Sequence, residues 1–349
     1  MKDHHQHPHP PAPNPAGHKR GPAYGRRKDD RKLSARGQFD ARVISIETFG
    51  GDRHRIMLEL ANHAAECFRN ARAGQFVQIA CRDLDQPRAP TPLLRRPFSL
   101  AGVCPDPASG KVLVEIIFRA LGVGTQWLVH RRPDEIIDLL GPLGNGFTTP
   151  PAQQRLHAQG SKQDAPRVLL VGGGVGLPPL YFFATQLHQA GFTQVVAIAG
   201  AHTRGEFCGR LELANYRPEN ALQPQLVLDQ YNRCQTPVIL TTDDGSVGFA
   251  GSTVDACEQF LDDNPQWRNA KIYACGPDGM LKALAALARG LQMPCEVSME
   301  AYMTCGFGVC QSCVIEVVGL DTDAPADQPQ YRLVCSDGPV FDAQTIKWE

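Results

Sequence analysis

The chain has 349 residues and a formal net charge of −1. That length suits two or three domains with ordinary cores, and the near-neutral charge excludes a general nucleic-acid footprint. It has no apolar run of about 18 residues for a membrane span and no secretory signal pattern at the N-terminus, so a cytoplasmic protein without membrane contact is expected.

Residues 1–36 are rich in His, Pro, Lys and Arg and lack apolar periodicity, so they are expected to be a disordered tail. His4, His5, His7 and His9 offer weak metal ligands there, although a solvated tail is the simpler reading. Residues 37–150 carry short, alternating, β-branched runs at 41–46, 55–60, 75–80, 96–101, 112–118 and 135–140, punctuated by glycine turns. This pattern predicts a small antiparallel barrel. Residues 151–165 are polar and irregular and suit a linker. Within 166–292 the period changes: strands are expected at 168–171, 195–199, 237–241 and 271–274, and helices at 178–190 and 277–291. Alternation of strands and helices predicts a doubly wound parallel sheet. Residues 211–235 receive no clear assignment. A cysteine-rich segment, 293–349, completes a multi-domain β plus α/β chain.

Twelve cysteines in a chain of this size, three of them in one loop, point to reduced thiols and one metal centre rather than a disulfide scaffold. Cys305, Cys310 and Cys313 are spaced C-x4-C-x2-C, and Cys335 follows after 21 residues. This is the plant-type ligand order for a [2Fe-2S] cluster. Gly306 and Gly308 let the loop turn tightly and aim N–H groups at the sulfurs. Zinc is the rival, but zinc sites pair two short knuckles and Cys335 has no near neighbour in sequence.

Three further motifs bear on nucleotides. Arg95-Arg96-Pro97-Phe98-Ser99 falls on an expected barrel strand, where Arg96 and Ser99 could hold a diphosphate while Phe98 or the backbone lies against a flavin ring. An ordinary strand with a surface arginine is the bland alternative. Gly172-Gly173-Gly174-Val175-Gly176 follows a strand and opens a helix, the context of a dinucleotide loop. It departs from G-x-G-x-x-G, and the tip of the next strand, Gly200-Ala201-His202-Thr203-Arg204, lacks the acid expected for a ribose hydroxyl. Cys275-Gly276-Pro277 ends a strand and starts a helix, which places the thiol where open α/β sheets bind ligands or, more plainly, in a buried strand end.

Together these features resemble the ferredoxin–NADP reductase superfamily. The C-terminal cysteine segment makes the chain specifically similar to the electron-transfer subunits of two-subunit, NAD-dependent dihydroorotate dehydrogenases. Five stretches carry the likeness: residues 94–99, 122–125, 141–147, the glycine loop with 273–280, and 303–313 followed by 334–341. The resemblance implies FAD contacts from Arg96, Pro97, Phe98, Ser99, Ile117, Phe118, Arg119, Gly124 and Thr125. It implies NAD(H) contacts from Gly172, Gly173, Gly174, Gly176, Cys275, Gly276 and Pro277, and cluster ligation by Cys305, Cys310, Cys313 and Cys335. Glu300 is placed near the flavin. The implied function is a relay from NAD(H) through FAD and the cluster to or from an FMN-bearing catalytic subunit of pyrimidine biosynthesis, two copies of each chain assembling together. No acid–base catalytic residue is assigned. The long gap before Cys335 looks like an insertion at 319–330, and 213–233 and the tail look like additions. Two rival functions stay open: another flavin and iron–sulfur NAD(P)H oxidoreductase subunit, and a non-catalytic zinc-stabilised nucleotide-binding module.

Overall fold

A computed structural model describes residues 36–82, 92–150, 165–215, 225–319 and 329–348. The expected tail, nearly all of the linker and most of the 319–330 insertion lie outside the described residues. Seven strands arise from the alternating N-terminal half: β1 (Gly37–Gly50), β2 (Arg53–Leu60), β3 (Phe76–Ile79), β4 (Arg96–Ser99), β5 (Gly102–Pro105), β6 (Val112–Arg119) and β7 (Ile136–Leu143). They form one antiparallel sheet in the order β4-β3-β7-β1-β2-β6-β5. The sheet is a curled half-barrel: among the described residues its outer strands β4 and β5 do not pair with each other, so the small antiparallel barrel expected from sequence takes an open form. Its inner face is filled by the alternate residues Ile56, Leu58, Leu60, Val114, Ile116, Ile137 and Leu139, all fully buried.

The second sheet runs β13 (Phe249–Ala250), β12 (Val238–Thr242), β9 (Val195–Ala201), β8 (Val168–Gly173), β14 (Lys271–Cys275), β15 (Cys295–Ser298) and β18 (Val340–Asp342). All of its pairs are parallel except the last. Residues 168–171 are buried without alternation, as expected for a central strand covered on both faces. Helices Leu177–Gln189 and Thr253–Asp263 pack against that strand. From β8 the chain winds to β9 and β12 on one side and later to β14 and β15 on the other, so the topological switch lies between β8 and β14.

The unassigned stretch 211–235 contains the hairpin of β10 (Leu211–Leu213) and β11 (Leu226–Leu228) and the helix Asp229–Arg233. A last hairpin joins β16 (Val314–Val317) and β17 (Gln330–Leu333). Because β15 and β18 belong to the parallel sheet, the cysteine segment is an excursion between two of its strands.

Charged side chains tie the two large sheets together. Buried Arg53 on β2 bonds Asp52 and, across the interface, Glu206, each at 2.8 Å. Glu115 on β6 faces Arg55 at 3.4 Å. Burial pushes the Glu115 carboxyl up, against the pull of Arg55 and Arg233. A carboxyl that binds its proton more tightly when folded does not penalise folding below its unfolded value, near 4.5, and costs stability as pH rises through the folded value. Glu115→Gln is therefore expected to melt above the parent at about pH 7, with the gap closing toward about pH 4; thermal melts across that window check it.

Candidate functional site

The β16–β17 hairpin brings the four cysteines together. Its register pairs Val314 with Leu333, so Cys313 and Cys335 flank the open end while the insertion falls at the tip. The Cys335 amide donates to Cys313 Sγ at 3.4 Å, the Gly308 amide to Cys335 Sγ at 3.2 Å, and the Cys310 amide to Cys305 Sγ at 3.5 Å. Gly306 and Gly308 hold φ of 83° and 87°, the left-handed region that L side chains avoid. Backbone amides directed at thiol sulfurs are the environment an iron–sulfur cluster requires, so the residues fit the group. Hydrogen bonds from Ser312 and then from Cys305 lower the Cys310 thiol to about 6. Burial, with Cys313 alongside, pushes Cys335 up to about 12.

The barrel seats this segment. Phe76 and Leu143 form one apolar cluster with Cys313, Val334 and Cys335. Asn145 reads the returning chain: its Nδ2 donates to the Asp337 and Val340 carbonyls, and its Oδ1 accepts from the Val340 amide at 2.9 Å. A Cβ at Gly144 would lie 2.6 Å from Pro339. The stretch 141–147 is therefore a clamp on the segment after Cys335.

A groove of about 500 Å³ opens on the half-barrel, lined by Pro92, Arg96, Arg119, Leu121, Gly122, Val123, Gly124 and Thr125. Among the described residues the exposed Arg96 guanidinium bonds only backbone carbonyls, those of Leu94 and Arg95. Arg119 is held by Asp52 at 2.9 Å. A Cβ at Gly124 would touch Cys81, Pro92 and Arg96 at 3.3–3.4 Å, so a side chain there would fill the cradle. Two cations beside exposed Leu121 and Val123 suit a diphosphate joined to flat rings, and the groove fits FAD. Phe98 does not line it: the ring is buried edge-on to Phe118, 5.8 Å between centroids, and Ile117 and Phe118 are also core.

The glycine loop meets the Cys275 turn at the switch point. Gly174 has φ of 56°, and a Cβ on Gly176 would sit 2.2 Å from the Cys275 carbonyl oxygen. The glycines thus let two strand-end loops lie backbone against backbone. The β9 tip lacks an acid, but the neighbouring strand supplies one: Asp243, beyond β12, bonds His202 Nδ1 at 2.5 Å. Only strand order reveals that pair.

A second pocket, about 200 Å³, joins the parts: Phe76, Pro97 and Ser99 from β3 and β4, Cys275 from β14, and Ser298, Met299, Glu300, Ala301, Met303 and Pro339 around the cysteine segment. Burial pushes the Cys275 thiol up to about 12, so it is neutral. Glu300 opens to solvent at the mouth, yet the atoms crowding its carboxyl raise it, and Asp278 adds to the effect. Beside this pocket Gln78 is fully buried, and neither its Nε2 nor its Oε1 has a hydrogen-bond partner among the described residues. Each such orphan costs about 1–3 kcal/mol. Nothing in the sequence distinguishes this glutamine.

These features define a class, the iron–sulfur flavoprotein oxidoreductases built on the ferredoxin–NADP reductase fold. A solved NADH-dependent reduced ferredoxin–NADP oxidoreductase, studied for flavin-based electron bifurcation, is 25% identical with a TM-score of 0.64, covering 88% of this chain and 90% of that one. A cytochrome P450 reductase of Amycolatopsis, 22% identical with a TM-score of 0.51 over 74% of this chain and 68% of that one, shares the fold. The family profile for the iron-sulfur cluster binding domain of dihydroorotate dehydrogenase B matches residues 300–347. The dihydroorotate dehydrogenase B (NAD(+)) electron transfer subunit of Geobacillus thermodenitrificans is 38% identical over 274 residues, 78% of this chain and 86% of that one. Its counterpart in Desulforamulus reducens is 29% identical over 89% of this chain and 98% of that one. The chain belongs to the family of dihydroorotate dehydrogenase B electron transfer subunits.

Proposed function

We propose that this chain moves electrons between NAD(H) and an FMN-bearing dihydroorotate dehydrogenase subunit, using FAD in the barrel groove and a [2Fe-2S] cluster at Cys305, Cys310, Cys313 and Cys335. The carrying observation is the second pocket, whose walls come from the barrel strand, the Cys275 turn and the approach to the cysteines at once. When bound, FAD exchanges a hydride with nicotinamide and single electrons with an iron–sulfur centre. In this reading, residues 37–150 hold FAD, 166–292 hold NAD(H) and 293–349 hold the cluster.

Arg96 and Arg119 anchor the diphosphate, with Gly124 and Thr125 bordering it. Pro97 and Ser99 present one face of β4 to the flavin ring, and Phe98, Ile117 and Phe118 hold that strand from behind. Gly172, Gly173, Gly174 and Gly176 admit the dinucleotide close to the backbone, and Cys275, Gly276 and Pro277 border the nicotinamide. The neutral Cys275 thiol adds no charge where hydride moves. Apolar walls from Phe76, Met299 and Met303 limit water between flavin and cluster. Tyr302 and Val309, 96% and 72% exposed, leave apolar surface beside the cysteines, a face suited to a catalytic partner in a two-plus-two assembly. Among the described residues no helix is long and apolar enough to cross a membrane, in keeping with a cytoplasmic complex.

The test is anaerobic purification with the catalytic partner, followed by metal and flavin content, spectra, and dihydroorotate-dependent NAD+ reduction. Absence of that activity with a competent partner would sink the substrate reading. Arg96→Ala is expected to weaken FAD retention about tenfold to a hundredfold, since charged hydrogen bonds contribute about 1.5–3 kcal/mol; flavin fluorescence released on dilution measures it.

A further inference from the structure

In β3 the side chains alternate: Val77 and Ile79 are core, while Phe76 and Gln78 share the opposite face. The β3–β4 register sets Phe76 against Ser99 and Gln78 against Pro97. Directly opposed residues project to the same side of an antiparallel pair. Phe76, Gln78, Pro97 and Ser99 therefore form one surface, and three of the four line the second pocket. Gln78 is the fourth. Over it lies the cysteine loop: a Cβ on Gly306 would be 2.7 Å from Gln78 Cγ and 2.9 Å from its Nε2. Gly306 directly follows Cys305. Gln78 is thus enclosed between the flavin-facing strand and the cluster loop, with both ends of its amide unpartnered among the described residues.

We infer that the Gln78 side-chain amide donates a hydrogen bond to a sulfur of the iron–sulfur cluster at its Cys305 corner, and so sets the cluster's potential relative to the flavin. This rests on the assignment of the cluster to the four cysteines. Buried polar groups in folded proteins are hydrogen-bonded, and a cluster beside Gly306 supplies the acceptor that the described residues do not. Gly306 is what allows the approach, because any side chain there would displace the amide. A donor to sulfur withdraws negative charge and favours the reduced cluster, raising its potential. Gln78 touches no reacting carbon; it is a positioning residue acting through the cluster.

The test is redox titration of the purified complex, with the cluster followed by its paramagnetic resonance signal and the flavin by absorbance. Gln78→Leu keeps the volume and removes the donor. The equilibrium constant for reducing the cluster is expected to fall about tenfold, equal to about 59 mV for one electron, with iron and flavin content and the flavin potential unchanged. Gln78→Glu, which places an acceptor against sulfur, is expected to lower it further, and it carries the test if the leucine variant does not load iron. Gln78→His, which restores an N–H, is expected to recover most of the shift. An unchanged cluster potential in Gln78→Leu, or a shift in the flavin alone, overturns the inference. A parent protein without iron would instead overturn the cluster assignment itself.

Discussion

Cys335→Ser is expected to abolish the iron–sulfur spectrum and to slow electron transfer to the catalytic partner about a hundredfold or more, since even outer-shell losses at metal sites cost 10–100-fold. Reduction of a flavin-accepting dye by NADH should stay near the parent rate. The reason is the position of this thiol. Cys335 is buried, its sulfur accepts the Gly308 amide, and its own amide holds the Cys313 sulfur. Serine offers a harder and shorter oxygen where soft thiolate suits iron. The barrel groove and the glycine loop lie on other elements and keep their shape. Cys104→Ser is the control: that cysteine is exposed on β5 and remote in sequence from the four, so neither rate should change. Iron content and the ratio of dye-linked to partner-linked rates decide the matter. Full iron loading in Cys335→Ser would remove this cysteine from the ligand set.

The sequence was most informative where chemistry forces local spacing. C-x4-C-x2-C is set by the reach of one loop around a cluster, and the glycine loop by the close approach of two strand ends, so both were legible without structure. Features made by distant pairing were not. The long gap before Cys335 reads in sequence as an insertion, and only the pairing of β16 with β17, Val314 opposite Leu333, shows how Cys335 returns beside Cys313. The acid beside the β9 tip comes from Asp243, just past the end of the neighbouring β12. Gln78 reads as one polar residue in an apolar run, and its meaning depends on which loop covers it. The Thr253–Asp263 helix was missed although Ser252 and Asp255 form a capping box. Its signal was present but lay between segments read only for strands. The sequence marks β4 as a strand but not which of its faces is buried; packing against Phe118 puts the Phe98 ring in the core.

Gly176→Ala is expected to lower kcat/KM for NADH about a hundredfold while leaving FAD and iron bound. The added Cβ would lie 2.2 Å from the Cys275 carbonyl oxygen, 2.3 Å from its carbon and 2.5 Å from the Gly276 nitrogen. Those atoms are backbone, and Cys275 is fixed on both sides, paired with Gly172 of β8 and Ser298 of β15. The strand end cannot yield, so the glycine loop must move outward, at the 1–3 kcal/mol or more typical of overpacking, about ten- to a hundredfold in binding. That movement displaces the backbone against which the dinucleotide lies. Gly279→Ala separates this effect from a general intolerance of the region. Gly279 is in the adjacent Asp278–Gly290 helix with nothing within 4 Å of the new Cβ. It should leave the NADH kinetics intact and raise stability by roughly 0.5 kcal/mol, the helical preference for alanine. Reduction by dithionite bypasses the nicotinamide site and should be equal in both variants and the parent. Parent-like oxidation of NADH by Gly176→Ala would mean that the dinucleotide does not use this loop.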